Sequence, residues 1–156
     1  MKTISINREW KMSFPEGFQI LNDMERRRLN FIGGAEGVCL SDPERHVVVS
    51  VGEKQINGFS ALVLSGKDLA KRMEKQISKP MEAYDYHLEG FFTRQIADKT
   101  ARGFRYTYKT QGVEMLGESY VVKDGKHLVY FHLYARKALR EESLAVWNGI
   151  LDTIGA

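Results

Sequence analysis

The chain holds a single cysteine, Cys39, so no disulfide can form within it, as expected of a reducing compartment. No apolar run approaches the roughly 20 residues that a bilayer-spanning helix needs. The segment Met1 to Ile6 alternates polar and apolar residues and runs into Arg8-Glu9, which is not the continuous apolar stretch of a secretion signal. These absences lead to the expectation of a cytoplasmic protein that does not engage a membrane. Charge of one sign is missing too. The 23 bases and 20 acids leave a net charge of +3, too balanced to point to nucleic acid.

Chemistry-bearing motifs are equally scarce. There is no His-Glu-x-x-His, no paired-cysteine zinc spacing, no calcium-loop pattern and no Gly-x-Ser-x-Gly elbow. Gly33, Gly34 and Gly37 lack the following lysine and hydroxyl residue of a phosphate loop and read as a turn. His127 and His132 lie five apart on one strand, so they point to opposite faces and cannot share a metal. Cys39, between Val38 and Leu40, reads as a small buried hydrophobe in a strand. The expectation is therefore a protein with no catalytic residues, no metal and no cofactor.

What is present suits one soluble α+β domain over residues 1–156, with 43% hydrophobic and 28% charged residues. Ile4 to Phe14 reads as one or two short strands ended by Pro15-Glu16-Gly17. Asn22 or Asp23 can cap a short helix from Met24 to Leu29 that carries Arg26, Arg27 and Arg28. Val38 to Leu40 and Val47 to Val51 read as a hairpin around Ser41-Asp42-Pro43. The apolar segment Ile56 to Leu64 fits helix or strand equally. Ser65 and Asp68 form a capping box for a helix with Leu69, Met73 and Ile77 on one stripe, stopped by Pro80. Tyr84 to Gln95 reads as a strand kinked near Gly90. A last helix runs from about Leu139 to Ile154, with Leu144, Trp147, Leu151 and Ile154 aligned.

The richest stretch is the meander from Phe104 to Tyr134. Gln111-Gly112 and Asp124-Gly125 are hairpin loops of the kind that supply positive backbone angles. Pairing outward from Gln111-Gly112 opposes Lys109 to Glu114 and Arg105 to Glu118, two favourable cross-strand ion pairs. Glu118 opposite Arg105 is thereby explained without a catalytic role. Alternation then assigns Phe104, Tyr106, Tyr108, Met115, Gly117, Ser119, Tyr130, His132 and Tyr134 to one face. The opposite face turns from charged on the first strand to apolar on the third. Such a gradient places the third strand centrally, with helices on both faces. Three rows are expected across the first face: Tyr106, Gly117 and His132; Phe104, Ser119 and Tyr130; Tyr108, Met115 and Tyr134. Small residues between rings leave a hollow over Gly117 and Ser119, which side chains or a small apolar ligand could fill.

Lys67, Lys71, Lys75 and Lys79 form a loose stripe beside the apolar face of the capped helix, read as a solvated face. The tyrosines sit on the apolar sheet face rather than among these bases, unlike an RNA-binding surface.

This order of elements resembles the PsbP-like fold group, which includes photosystem PsbP proteins, the Ran-binding nuclear import factor and small bacterial proteins such as type VI secretion adaptor chaperones. The likeness rests on Phe14-Pro15-Glu16-Gly17-Phe18 after the first strands and on Gly103-Phe104-Arg105-Tyr106 opening the meander. It implies an antiparallel sheet between helices, an αβα sandwich, in a non-enzymatic binding module; a helix-grip fold is the alternative. The expected partner is another protein, as for an adaptor or chaperone, contacted through Tyr106, Tyr108 and Tyr134. The other reading is a carrier of a small apolar ligand held by Phe104, Tyr106, Tyr108, Gly117, Ser119, Tyr130, His132 and Tyr134.

Overall fold

In the computed structural model, which describes residues 1–28 and 37–156, strands β1 (Lys2–Ser5) and β2 (Lys11–Phe14) form a hairpin of their own. A seven-stranded sheet is built from β3 (Gln19–Ile20), β4 (Val38–Asp42), β5 (Val47–Gln55), β6 (His87–Ile96), β7 (Lys99–Thr110), β8 (Val113–Asp124) and β9 (His127–Arg136). Its order is β3-β4-β5-β9-β8-β7-β6, and every neighbouring pair is antiparallel. The third strand of the meander, β9, is the middle strand of the seven. Its residues Leu128, Val129, Phe131, His132, Leu133, Tyr134 and Ala135 are all buried, as expected of a strand covered on both faces.

Four α-helices occur among the described residues: α1 (Asp23–Arg28), α2 (Gly58–Val63), α3 (Gly66–Ser78) and α4 (Arg140–Asp152). The undecided segment Ile56 to Leu64 is helical over Gly58–Val63, where the Asn57 side chain accepts from the Ser60 amide at 2.7 Å and caps the first turn. In α3, the Ser65 hydroxyl accepts from the Asp68 amide at 3.1 Å, and Leu69, Met73 and Ile77 go to the core. Burying each of those side chains contributes about 1.5–3 kcal/mol, which outweighs the helix's own marginal propensity. Glycines 33 and 34 and Leu29, the expected end of the first helix, lie outside the described residues.

α3 packs on β7 and β8 over one face of the sheet. α4 packs on β9 and on β2 over the other, and the Lys11–Gly155 backbone bridge ties the β1–β2 hairpin to the end of the chain. Two cores result. One gathers Leu69, Met73, Ile77, Phe104, Tyr106 and Val121 beneath α3. The other gathers Trp10, Met12, Phe14, Val49, Phe131, Leu133 and Trp147 beneath α4. Helices on both faces make this an αβα sandwich rather than the helix-grip alternative, in which one helix closes over a single curved face.

Two local expectations are corrected. Tyr84 belongs to a short 3-10 turn, Glu82–Tyr84, and the strand begins only at His87, after Asp85 with φ +57° breaks the extended path. The kink near Gly90 is a β-bulge between Leu88 and Gly90. The second hairpin loop is Gly125-Lys126 rather than Asp124-Gly125, because Asp124 pairs with His127. Gly125, with φ +61°, takes the first loop position, where glycine is needed.

Candidate functional site

The first meander hairpin has the expected register: Gln111 and Gly112 both take positive φ, Lys109 opposes Glu114, and Arg105 opposes Glu118. Moving the second loop by one residue shifts the β8–β9 register by two. An even shift keeps each side chain on its face but changes its neighbours. The expected rows are therefore replaced. Gly117 lies between Tyr106 and Tyr134, Ser119 between Phe104 and His132, and Met115 between Tyr108 and Arg136. Tyr130 lies opposite Val121 instead of Ser119.

The rings form two stacks along their strands. Tyr106 stacks on Tyr86 at 5.3 Å and on Tyr108 at 5.8 Å between centroids, and His132 lies between Tyr130 and Tyr134 at 6.4 and 6.2 Å. Between the stacks the hollow is occupied. A Cβ on Gly117 would stand 2.2 Å from Tyr106 Cζ and 2.5 Å from its hydroxyl oxygen, so the Tyr106 ring fills the glycine's missing side-chain space. α3 closes the same region from above. Phe104, Tyr106, Gly117, Ser119, His132 and Tyr134 are buried, while Tyr108 and Tyr130 are half-buried. Tyr106 and Tyr134 are thus core residues and not the exposed contacts expected of them.

Chemically this interior is quiet. Ser119 Oγ and His132 Nδ1 share a hydrogen bond at 2.7 Å, which superficially suggests a nucleophile and its base. Burial lowers the His132 pKa to about 4, so the imidazole is a weak base, and Ser119 is closed to solvent. Burial also pushes the Tyr108 hydroxyl up to about 12 and the Cys39 thiol up to about 11, which keeps both protonated. The Tyr106 hydroxyl is pushed well above its ordinary value, mainly by burial. It makes no well-formed hydrogen bond, although the Ser119 hydroxyl lies close enough to favour its ionised form slightly. On the opposite face, buried Glu118 accepts from Arg105 Nε at 2.8 Å and from the Tyr120 hydroxyl at 2.7 Å. Among the described residues no cluster of three or more metal-ligating side chains occurs, and no helix is long and apolar enough to cross a membrane.

The accessible features lie elsewhere. α2 is a helix of six residues with none buried: Phe59 is 74% exposed, Leu62 86% and Val63 56%. Positions 59, 62 and 63 share one helical face, so the helix presents an apolar face to solvent. Basic residues flank it. Lys123 Nζ donates to the Leu64 carbonyl at 2.9 Å, Lys126 reaches to Gly58, and the Ile56 amide donates to the Lys126 carbonyl. Lys54, two residues before Ile56, and Lys67, at the start of α3, are exposed. Among the described residues Lys54, Lys67 and Lys126 have no ion-pair partner. Sequence reasoning left this helix undecided. Its signal was an Asn57 cap followed by apolar residues at helical spacing, whereas the lysines come from two separate strands, a turn and a helix that only the fold gathers.

A second exposed apolar region, Leu88, Phe91 and Phe92, lies on the edge strand β6. It is blunted as edge strands usually are. The bulge interrupts its pairing, Arg105 covers the Phe92 ring at 4.7 Å, and Glu89 is held by Arg140 at 2.7 and 2.5 Å.

No protein-family model matches the chain, and neither does any curated protein sequence. Solved structures match it in shape. The cyanobacterial PsbP protein (CyanoP) of Synechocystis sp. PCC 6803 superposes with a TM-score of 0.73 at 14% identity, covering 99% of this chain and 91% of that one. LpqN of Mycobacterium tuberculosis, described as involved in cell envelope biogenesis, gives 0.63 at 9% identity over 94% and 82% of the two chains. A Bacteroides thetaiotaomicron protein gives 0.58 at 11% identity, covering 94% of this chain and 44% of that longer one. Identities this low establish shape alone: the chain has the PsbP-like fold.

Proposed function

We propose that this PsbP-like chain works as one non-enzymatic binding domain over residues 1–156, docking onto another protein through α2. The observation that carries this reading is the exposed apolar face of Phe59, Leu62 and Val63 on a helix that gives no side chain to the core. A surface helix ordinarily buries its apolar stripe, and an exposed one is typical of an interaction site. Lys54, Lys67, Lys123 and Lys126 at its border select the partner's chemistry: an apolar groove rimmed by carboxylates. Phe59 and Leu62 are the anchors, and the lysines set encounter rate and orientation. The ligand-carrier alternative over Gly117 has little support, because Tyr106 occupies the space a ligand would need.

The test compares the tagged wild-type chain with Phe59→Ser/Leu62→Ser and with Lys54→Glu/Lys126→Glu in affinity purification from the native host. Both variants should keep wild-type thermal stability, since the changed side chains are exposed. A protein recovered by the wild type and lost with both variants supports the reading. Equal recovery by all three chains overturns it. So does α2-dependent binding to phosphatidylglycerol vesicles, or concentration-dependent self-association, without a protein partner.

A further inference from the structure

At the end of β9 remote from α2 lies an open groove of about 500 Å³, between the β4–β5 and β7–β8 turns. Pro43, Val48, Val113 and Met115 give it apolar walls, and Arg136, the last residue of β9, also lines it, opposite Met115 in the neighbouring strand. Its volume falls within the range of roughly 300–1,000 Å³ typical of small-molecule sites.

The charges in the groove are unevenly matched. Asp42 is buried and fully engaged: it holds Arg45 at 2.6 Å and accepts from the Glu44 and Arg45 amides. Arg136 is half-buried and has no ion pair or side-chain hydrogen bond among the described residues. Arg105 and Arg140, by contrast, are each paired with a carboxylate. His46, with φ +55°, brings an imidazole to the same rim. A guanidinium left without an anion in an apolar groove is a poor arrangement for stability, and its planar fork matches a carboxylate.

We infer that this groove binds a small apolar molecule carrying one carboxylate, with Arg136 holding the carboxylate and Val48, Val113 and Met115 holding the apolar part. The site is separate from α2 and does not depend on the protein-docking reading.

Octanoate is the probe, titrated calorimetrically into the full chain, with 1-octanol as the uncharged control. Octanoate should bind saturably and at least tenfold more tightly than octanol. Arg136→Gln should remove that advantage while leaving thermal unfolding near wild type. Met115→Trp, which keeps the arginine but fills the groove, should abolish binding of both compounds. The inference is overturned if octanoate fails to bind saturably, binds no better than octanol, or binds Arg136→Gln as tightly as wild type. It is equally overturned if Met115→Trp folds and still binds octanoate.

Discussion

Arg105 and Glu118 face each other across β7 and β8 and join at 2.8 Å, with the carboxylate 1% exposed and the guanidinium also covering the Phe92 ring. The second carboxylate oxygen accepts from the Tyr120 hydroxyl at 2.7 Å, so the buried charge is compensated on both sides.

Removing one partner should be worse than removing both. Arg105→Leu strands a buried carboxylate and should cost about 3 kcal/mol, whereas Arg105→Leu/Glu118→Leu should recover much of that loss. Urea unfolding of the two variants beside wild type measures the difference. A single variant within 0.5 kcal/mol of wild type would show that the pair carries no such weight.

Gly117 should tolerate no side chain. Its Cβ would stand 2.2 Å from Tyr106 Cζ, in a ring already held by Tyr86, Tyr108 and α3. Gly117→Ala is expected to destabilise by about 1–3 kcal/mol through overpacking. Combined with Tyr106→Leu, it should cost less than the sum of the two single changes, because the clashing ring is gone. Strict additivity would place the Tyr106 ring elsewhere.

His132 should make stability depend on pH. Burial lowers its pKa from 6.5 to about 4, so between those values the unfolded chain binds a proton that the native chain does not. Its stabilising contribution is complete above about pH 6.5 and is lost as pH falls toward 4. The loss is on the order of 3 kcal/mol. Urea unfolding at pH 4.5 and pH 7 should show a smaller difference for His132→Gln than for wild type. An equal difference in the two proteins would mean that His132 titrates normally.

Local signals carried much of the architecture. Gln111-Gly112 gave the β7–β8 register because a two-residue loop with two positive φ angles leaves only one pairing, and the charges of Arg105 and Glu118 agree with it. Ser65, Asp68 and the 69, 73, 77 stripe defined α3 because capping and helical periodicity are short-range properties. The charged-to-apolar gradient across the meander placed β9 at the centre, since burial on both faces leaves a strand apolar on both. The Asp124-Gly125 pair was less decisive. Either of two loops could use that glycine, and an even register shift leaves the alternation unchanged, so periodicity had no power to choose between them.

The chain's order of residues thus determined most of the strands and the longer helices, which side chains of the meander share a face, and that the sheet lies between two helical layers. Tertiary structure alone decided which faces are covered. Tyr106 looks like an exposed anchor until α3 closes over it, and Gly117 looks like a hollow until that ring fills it. Phe59, Leu62 and Val63 fit a helix or a strand alike until the fold makes them a helix and leaves all three exposed. Burial depends on what arrives from distant parts of the chain, and a local pattern records only what a segment could bury.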